Sequence, residues 1–510
     1  MNKKRFLNII IAIIVGNLII LGSVFVIVKR YCQPVGQLSQ QNENKESLFG
    51  IMLASDINEA ARVTPDILDA IRQKGWTEFR KDESNYQNLL SNLEKIIQDR
   101  AKLVKTTGFH IDREAVAGYF TWNVIEPQKG QFDWELTDIY AKGTSNAGVK
   151  ISAVIQPFAG WDQKDTEPEK AMADFAYYDY KAGPPKDIAE YQNFLMKMVE
   201  RYMDKVAVWE IGNELENQGS GYQNNPEGYF DLVKITSETI KKADPKAIVT
   251  NGGAMEIAGM AELNPFKTYW TKFFTLGGGQ YIDYFNIHYN IERSPGAKLN
   301  PAMFQEELTF FNDLMDKNGG RKPLYLTEFG IYSGSPSSKG SNQPLGQPAQ
   351  GQGLEQSSNN RSQEQPSAQT TQEQTLRNVS ENDQAVLYFK DSILAFANGT
   401  KVVFIDLVGS DDGVIGSSMA FNSKGQQRLF LTSLKTIDSK IKGFSKVEKI
   451  SDGQYKFIVN GKSIYVLWGS GKAPAEISGR VTVTDLTGQT STSKASKITL
   501  SDSPIYVETK

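Results

Sequence analysis

Two glutamates stand where apolar runs of the sequence open into polar segments. Glu214 ends the run WEIGNE at 209–214, and Glu328 lies in YLTEFG at 325–330. Two carboxyl groups that face each other can together catalyse the cleavage of a glycosidic bond. One must be protonated to release the leaving sugar, and the other must be ionised to attack the anomeric carbon or to activate water. These residues therefore predict glycoside-cleaving chemistry if the fold brings them together.

The composition excludes several other chemistries. One cysteine in 510 residues rules out an intramolecular disulfide and a cysteine-rich metal site, and two histidines argue against a multi-histidine metal centre. The 56 basic and 59 acidic residues give a net charge of −3, so no basic surplus points to nucleic acid. We expect no metal and no organic cofactor, and catalysis that relies on carboxylates.

Strand and helix signals alternate through the middle of the chain. Repeated β–α units of this length predict an α/β fold with a parallel sheet covered by helices, and eight of them predict a (β/α)8 TIM barrel. Active residues of such barrels lie at the C-terminal ends of strands, where Glu214 and Glu328 fall. The predicted strands are 49–53, 116–122, 149–158, 206–211, 248–251, 282–288, 323–328 and 402–407, and the predicted helices are 134–147, 185–204, 226–243, 265–276, 301–317, 380–397 and 426–441.

The pattern changes after Gly443 to short strands without intervening helices. Segments 455–459 and 463–468 alternate apolar and polar residues and are joined by Asn460–Gly461, which favours a type I′ hairpin turn. Further strands are expected at 481–485, 498–500 and 505–508. We therefore predict a barrel over 49–442 and a small all-β, sandwich-like domain over 443–510.

The first thirty residues read as a membrane segment. An apolar run at 6–28 has basic residues on both sides, and as a helix it would be about 34 Å long, enough to cross a bilayer. We predict an anchor over 1–30, a polar tether over 31–48 and a domain outside the cytoplasm at the cell surface. A cleaved signal peptide and a secreted protein are the alternative.

A second segment of biased composition interrupts the predicted barrel at about 334–378. Gln, Ser, Gly, Pro and Asn dominate it, and it has no aromatic residue. Such a segment buries too little apolar surface to offset the entropy of ordering. We interpret it as a disordered surface loop, with a lid over the substrate as the alternative.

The residues around these strand ends resemble clan A of the retaining glycoside hydrolases, which includes cellulases, mannanases, β-xylosidases and β-galactosidases. The matching motifs are Asn213–Glu214 at strand four, Glu328 in TEFG at strand seven and FTWNVIEP at 120–127. The resemblance implies that Glu214 is the acid/base and Glu328 the nucleophile. It also implies that Asn213 binds the sugar 2-hydroxyl, with the carboxyls about 5–5.5 Å apart.

Strand six supplies further candidates. By strand alternation Asn286, His288 and Asn290 share one face, expected to be the barrel mouth, and Tyr289 lies on the other. His288 is similar to the clan's strand-six histidine near the reacting sugar. The tyrosine that the clan often places two residues later is Asn290 here, and Tyr289 stands one residue early. We take His288, Tyr289 and Asn290 as substrate-site candidates, and a structural histidine is the alternative for His288.

Two tryptophans complete the candidate substrate site. Trp122 and Trp161 follow the predicted strands two and three, and an indole face can stack on a pyranose. Packing within the barrel is the alternative for both. The arginine that the clan often has shortly before the strand-two tryptophan is missing from 119–121, and Arg113 could take its place. Glu126 and Pro127 are interpreted as a structural turn.

The combined interpretation is a retaining glycoside hydrolase that cleaves β-linked oligo- or polysaccharides by double displacement. A non-catalytic glycan-binding surface protein on the same barrel is the first alternative, and a transglycosylase is the second. The loops of the barrel determine which sugar is bound, and the sequence does not predict their shape.

Overall fold

Eight short strands pair edge to edge in one parallel sheet whose two ends meet. The order is β5-β4-β3-β2-β1-β8-β7-β6, and parallel bridges Thr250–Tyr284 and Ala254–Ile287 join β5 to β6. Because helices cover the outside, the strands are largely buried on both faces, and several of them read as mostly apolar runs. The strands are β1 Phe49–Met52, β2 Ile111–Arg113, β3 Lys150–Ile155, β4 Val206–Ile211, β5 Val249–Asn251, β6 Phe285–Tyr289, β7 Leu324–Phe329 and β8 Thr400–Asp406.

This computed structural model describes residues 46–52, 67, 70, 76–114, 118–163, 183–216, 221–255, 265–289, 301–331, 379–406, 420–421 and 425–509. The predicted membrane segment, most of the tether, the Gln/Ser-rich insert and Asn290 lie outside these residues. Among the helices that are described, none is long and apolar enough to cross a membrane. The membrane anchor and the location outside the cytoplasm stay predictions from the sequence.

Helices follow the strands, as the β–α repeat predicts, and the (β/α)8 barrel is confirmed. Local signals set several of their starts. Asn225 caps α6 by accepting a hydrogen bond from the Gly228 amide at 2.9 Å, and Pro226 follows it. The helices are α1 Trp76–Phe79, α2 Glu83–Thr107, α3 Trp122–Ile125, α4 Glu135–Asn146, α5 Ile188–Tyr202, α6 Pro226–Ala243, α7 Pro265–Thr275, α8 Pro301–Lys317, α9 Glu381–Ala397 and α10 Leu429–Ile441.

The prediction for the second strand was wrong. Strand β2 is Ile111–Arg113, and Trp122 begins the short helix α3 instead of ending a strand. The apolar run that suggested a strand is buried for another reason: Tyr119 stacks on Tyr140 at 4.2 Å, and Phe120 packs on Trp209 at 5.9 Å. Tyr119 and Phe120 are therefore apolar residues buried against neighbouring elements and do not belong to a barrel strand.

Helix α2 was absent from the sequence prediction, although its pattern is clear. Its buried leucines at 89, 90 and 93 and the buried Ile97 and Val104 repeat every three to four residues, which is the helical period. Asp82 caps its start and Gly108, with φ 79°, ends it. This helix connects β1 to β2 and completes the layer outside them.

The C-terminal region is all-β, as predicted. A six-stranded antiparallel sheet has the order β14-β13-β16-β11-β10-β9, and a separate ribbon pairs β12 with β15. Asn460 and Gly461 have φ of 50° and 76°, as the predicted type I′ turn requires. The strands are β9 Phe444–Ser451, β10 Gln454–Val459, β11 Lys462–Leu467, β12 Gly471–Lys472, β13 Arg480–Asp485, β14 Thr490–Lys494, β15 Thr499–Leu500 and β16 Ile505–Thr509.

The second layer of the expected sandwich is only this two-stranded ribbon. Leu500 on β15 packs in one apolar cluster with Val481 and Val507 of the large sheet. The opposite face of that sheet contacts the barrel, where Tyr506 packs on Phe389 of α9 at 5.4 Å. The large sheet is therefore covered by a ribbon on one face and by the barrel on the other.

The approach of α2 to α4 gives a test of the packing. A Cβ at Gly143 would lie 2.3 Å from Cγ2 of Ile97. Alanine favours a helix over glycine by about 1 kcal/mol, but forcing a methyl into a filled interface costs about 1–3 kcal/mol. We expect Gly143→Ala to lower the free energy of unfolding, measured with urea, and to cost less when Ile97 is also alanine. A more stable Gly143→Ala variant would contradict this packing.

Candidate active site

The carboxyl ends of four strands bring charged side chains to one mouth of the barrel. Glu328 lies within β7 and Arg113 ends β2, while His288 lies on β6. Glu214 stands three residues beyond the end of β4, with a left-handed φ of 47°. That conformation is uncommon for a residue with a side chain and requires support from its surroundings.

Arg113 is fully buried and donates to the side-chain oxygens of three residues. Its Nε donates to both carboxylate oxygens of Glu210, at 3.1 and 3.0 Å. Its Nη1 donates to Glu328 Oε1 at 3.1 Å, and its Nη2 donates to Asn213 Oδ1. Burial lowers the pKa of Arg113, but Glu210 and Glu328 reverse this and raise it above its ordinary value. The guanidinium therefore carries a permanent positive charge beside Glu328.

Glu210 supports Arg113 from beneath. The carboxyl is fully buried and also accepts from Ser152 Oγ at 2.7 Å and from Asn286 Nδ2 at 3.0 Å. Burial raises the pKa of Glu210, and the charge of Arg113 and the Ser152 hydroxyl oppose that rise. With this many donors the carboxylate form is satisfied, so Arg113 and Glu210 form a buried, hydrogen-bonded ion pair.

A chain of hydrogen bonds determines which nitrogen of His288 carries a proton. Because Asn286 uses its Nδ2 to donate to Glu210, its Oδ1 is free to accept from Thr327 Oγ1 at 2.8 Å. The Thr327 hydroxyl, having donated its hydrogen, accepts from His288 Nε2 at 3.0 Å. Nε2 is therefore protonated, and the state of Nδ1 depends on its own partners.

Those partners are the two candidate catalytic glutamates. Nδ1 of His288 lies 2.7 Å from Glu214 Oε1 and 3.7 Å from Glu328 Oε1. Burial lowers the pKa of His288, but the nearby carboxylates of Glu328 and Glu214 outweigh it and raise the pKa above its ordinary value. One proton therefore lies between His288 and Glu214 in a short hydrogen bond.

A bulge in β7 makes this arrangement possible. The ladder pairs Ile287 with Leu326 and then His288 with Glu328, so Thr327 has no partner of its own. Without the bulge, Thr327 and Glu328 would point to opposite faces of the strand. With it, both side chains reach His288.

Glu214, His288 and Glu328 each offer a ligand atom, and these atoms lie within 4.8 Å of one another. Two carboxylates and an imidazole are also a donor set that divalent metals accept. The Arg113 guanidinium, 3.1 Å from Glu328, places a positive charge beside this set and opposes a second cation. The absence of a metal stays a prediction, and the geometry suits proton and nucleophile chemistry.

The structure brings some predicted substrate residues to the mouth and not others. Asn213 is there, held by Arg113. Tyr289 is fully buried on the opposite face of β6 and packs on Phe304 at 4.3 Å. It therefore has no surface to offer a sugar, as strand alternation had indicated.

The two tryptophans differ in their exposure. Trp122 is fully buried, and its Nε1 donates to Glu126 at 2.7 Å, so packing and not stacking on a sugar describes it. Trp161 is half-buried against Trp122, and its Nε1 donates to the Glu126 carbonyl at 2.8 Å. Trp161 is thus partly exposed, with Lys129 Nζ 5.9 Å from the centroid of its ring. Glu126 also accepts from the Gly130 amide at 2.7 Å, which agrees with the structural turn expected for it.

Glu210 was not among the residues predicted from the sequence, and Arg113 was named only as a possible replacement for the missing arginine. The signal for both was present. Glu210 is a charged residue inside an apolar strand, and such a residue requires a buried partner of opposite charge. Arg113 was placed outside the strands because the second strand was assigned too late in the chain.

Comparison with known proteins supports the architecture. No protein-family model matches the chain. A monomeric β-xylosidase from Caulobacter crescentus CB15 is similar in structure, with a TM-score of 0.52, 13% sequence identity, and 91% of this chain and 95% of that chain covered. A family 39 glycoside hydrolase from Bacteroides cellulosilyticus WH2 has a TM-score of 0.51 and 15% identity, covering 81% and 78%.

A GH39 enzyme from Xanthomonas axonopodis pv. citri gives the same TM-score, 0.51, at 11% identity, covering 91% of this chain and 94% of that chain. At such identities the similarity establishes the fold. The predicted barrel with a C-terminal β domain is thus confirmed.

The buried ion pair can be tested by stability alone. Arg113→Met leaves Glu210 buried without its cation, and we expect a loss of about 3–5 kcal/mol in the free energy of unfolding. Arg113→Met with Glu210→Gln removes both charges and should recover a large part of that loss. Arg201→Met, which breaks the exposed pair with Asp138, serves as the control and should cost less than about 1 kcal/mol. Equal losses for the two single variants would contradict the analysis.

Proposed function

We propose that the protein is a retaining glycoside hydrolase that cleaves β-linked glycosides by double displacement. The observation that carries the proposal is the pair Glu214 and Glu328, which have different environments and of which one carboxyl oxygen each lies within 4.8 Å of the other. Such a spacing suits a retaining enzyme, because an inverting enzyme needs a wider gap for a water molecule. The β-xylosidase with a similar barrel supports β-linked glycosides as the substrate class.

Glu328 is the nucleophile in this proposal. Arg113 stabilises its carboxylate through the hydrogen bond at 3.1 Å, so the group is ready to attack the anomeric carbon. Attack forms the bond from the Glu328 oxygen to that carbon and breaks the bond to the leaving oxygen. The negative charge of Glu328 is lost when this ester forms.

Glu214 supplies the proton that the leaving oxygen needs. The proton shared between Glu214 and His288 passes to that oxygen as its bond to carbon breaks. In the second half, Glu214 accepts a proton from water as the water attacks the anomeric carbon and releases Glu328. The stereochemistry is inverted twice and so retained.

Asn213 is positioned for a role in substrate binding. Its Oδ1 accepts from Arg113, so a contact of this amide with a sugar hydroxyl would use Nδ2 as the donor. The resemblance to clan A assigned the 2-hydroxyl to this residue. The same hydrogen bond orients the Asn213 amide against Arg113, the cation that also contacts Glu328.

The alternative of a non-catalytic glycan-binding protein loses much of its support. It rested on two departures from the clan pattern, one of which was the missing arginine. Arg113 contacts Glu328, Glu210 and Asn213 together, so a guanidinium is present beside the proposed nucleophile. A binding protein would have no need for a buried cation at that place.

Replacement of each glutamate tests the two roles. With a 2,4-dinitrophenyl β-glycoside as substrate, we expect azide to rescue both Glu214→Ala and Glu328→Ala, but with different products. In Glu214→Ala azide attacks the glycosyl-enzyme in place of water, needs no base, and yields the β-glycosyl azide as Glu328 is released. In Glu328→Ala azide takes the place of the nucleophile and yields the α-glycosyl azide. Without azide and with a poor leaving group, each variant should lose roughly a thousand-fold in kcat/KM or more.

The control for these variants is Glu306→Ala, which removes an exposed carboxylate on α8. It should keep wild-type activity. Full activity in Glu214→Ala or Glu328→Ala, or the same azide product from both, would refute the assignment.

The pH dependence tests the shared proton. Because the pKa of His288 is raised, the alkaline limb of kcat/KM should lie above the ordinary imidazole value of 6.5. His288→Asn leaves the proton to the carboxyl alone, so the limb should move to lower pH. An unchanged alkaline limb in His288→Asn, measured with the same substrate and ionic strength, would show that His288 does not share the proton.

A further inference from the structure

Glu216 lies two residues beyond Glu214 and has no part in the reaction described above. Its side chain is 4% exposed and contacts Trp270 of α7. A single oxygen, Oε1, accepts hydrogen bonds from the Met255 amide at 2.7 Å and from Trp270 Nε1 at 3.1 Å. It thereby connects the segment after β4 to the segment after β5 and to α7.

The segment after β5 contacts both members of the proton-carrying pair. The amide of Glu214 donates to the Gly252 carbonyl at 2.8 Å. The amide of His288 donates to the Ala254 carbonyl at 2.8 Å. Gly253 lies directly against the imidazole, because a Cβ there would be 2.1 Å from His288 Nε2. Residues 252–255 thus form a bridge between Glu214 and His288, and Glu216 holds the end of that bridge.

The backbone of Glu214 needs such support. Its φ of 47° lies in the left-handed region and persists only where neighbouring contacts maintain it. Gly212 and Gly252 allow the two segments to touch, since a Cβ on Gly252 would lie 2.3 Å from the carbonyl carbon of Gly212. The contact brings Glu214 close enough to donate to Gly252.

We propose that Glu216 is a positioning residue that holds the acid/base Glu214 against His288 by joining the segments after β4 and β5. The proposal rests on the function proposed above for Glu214, but its geometry does not depend on which sugar is cleaved. Glu328 lies within strand β7 and does not depend on this contact.

The chemistry of the carboxyl agrees with a positioning role. Burial raises the pKa of Glu216 to about 7, and the charge of Glu214 also raises it. Both donors use the same oxygen, so a neutral carboxyl, or an amide in Glu216→Gln, still accepts from Met255 and Trp270. The connection therefore requires an acceptor oxygen and not a charge, which makes Glu216→Gln the conservative variant and Glu216→Ala the disruptive one.

Leaving-group dependence separates positioning of the acid from general damage. A 2,4-dinitrophenolate leaves without a proton, whereas phenolate needs one. For Glu216→Ala we expect kcat/KM to fall roughly a hundred-fold on the phenyl β-glycoside and less than about three-fold on the dinitrophenyl β-glycoside. Glu216→Gln should stay close to wild type on both substrates. Equal losses on the two substrates in Glu216→Ala would overturn the proposal.

Glu126 offers a matched control. It too is a buried carboxyl that accepts from a tryptophan Nε1 and a backbone amide, those of Trp122 and Gly130, but it does not join the segments after β4 and β5. Glu126→Ala should change the two substrates by the same factor. A leaving-group split as large as that of Glu216→Ala would count against a specific role for Glu216.

A spectroscopic readout tests the proposal independently of activity. The chain has two histidines, so ¹⁵N-histidine labelling of the full chain gives signals from His110 and His288 only. In Glu216→Ala we expect the ring signals of His288 to shift and its pKa to fall, because Glu214 withdraws its hydrogen bond. Glu216→Gln should leave them in place, and His110 should not change in either variant.

These two measurements keep the failures apart. If the wild type cleaves no glycoside while His288 responds as expected, the proposed function fails and the structural role of Glu216 stands. If Glu216→Ala leaves the His288 signals as in the wild type, the role of Glu216 is refuted whatever the activity. Should Glu216→Ala not fold, Glu216→Met keeps a side chain of similar length without the acceptor oxygen, and an unmoved His288 in that variant is the refuting result.

Discussion

The burial of the Arg113 guanidinium is the constraint on which the rest of the site depends. A charge with no exposure to water is tolerated only beside opposite charge and with its hydrogens bonded. Glu210 meets the first need from beneath the mouth, and Glu328 and Asn213 meet the second from the mouth itself. Glu328 and Asn213, which would contact the substrate, are therefore hydrogen-bonded to a buried ion pair that would not.

The same pair explains the protonation of the mouth through bonds that run in one direction. Glu210 only accepts, so Asn286 must donate to it, Thr327 must donate to Asn286, and His288 must donate to Thr327. This order leaves Nδ1 as the single position on the imidazole where a proton can be gained or lost. Two cations, Arg113 and a protonated His288, then stand among three carboxyls, and the exchangeable proton lies beside Glu214.

The sequence predicted the barrel and its two glutamates because strand ends are marked locally. An apolar run that opens into a polar residue is visible without any knowledge of the fold, and helix starts such as Pro226 and Pro301 agree with the structure. The same rule explains the error at the second strand. Tyr119 and Phe120 are buried against α4 and Trp209. Their residue types alone do not distinguish this burial from burial in a sheet. Strand β2 has only three residues, two of them charged, and has no apolar pattern to recognise.

The contacts of Arg113 and Glu216 could not be predicted in this way because their partners are far away in the chain. Arg113 and Glu328 are 215 residues apart, and the pairing follows only when all eight strands are placed in order. Trp122 and Tyr289 show the reverse case, since their residue types suited a sugar and their positions put them in the core. A residue type indicates which chemistry is possible, but the orientation of the side chain depends on the fold.

The two glutamates are held in different ways, and the difference matches the roles proposed for them. Glu328 lies inside β7, where it pairs with His288 of β6, and Arg113 donates to its carboxylate at 3.1 Å, as a nucleophile that must meet one carbon requires. Glu214 stands beyond the end of β4 on a strained residue whose place depends on the segment after β5. An acid/base must serve two oxygens in turn, first of the leaving group and then of water, and these do not occupy the same point. A residue supported by loop contacts can adjust between them, whereas one fixed in a strand cannot, so the less rigid glutamate is the one suited to act twice.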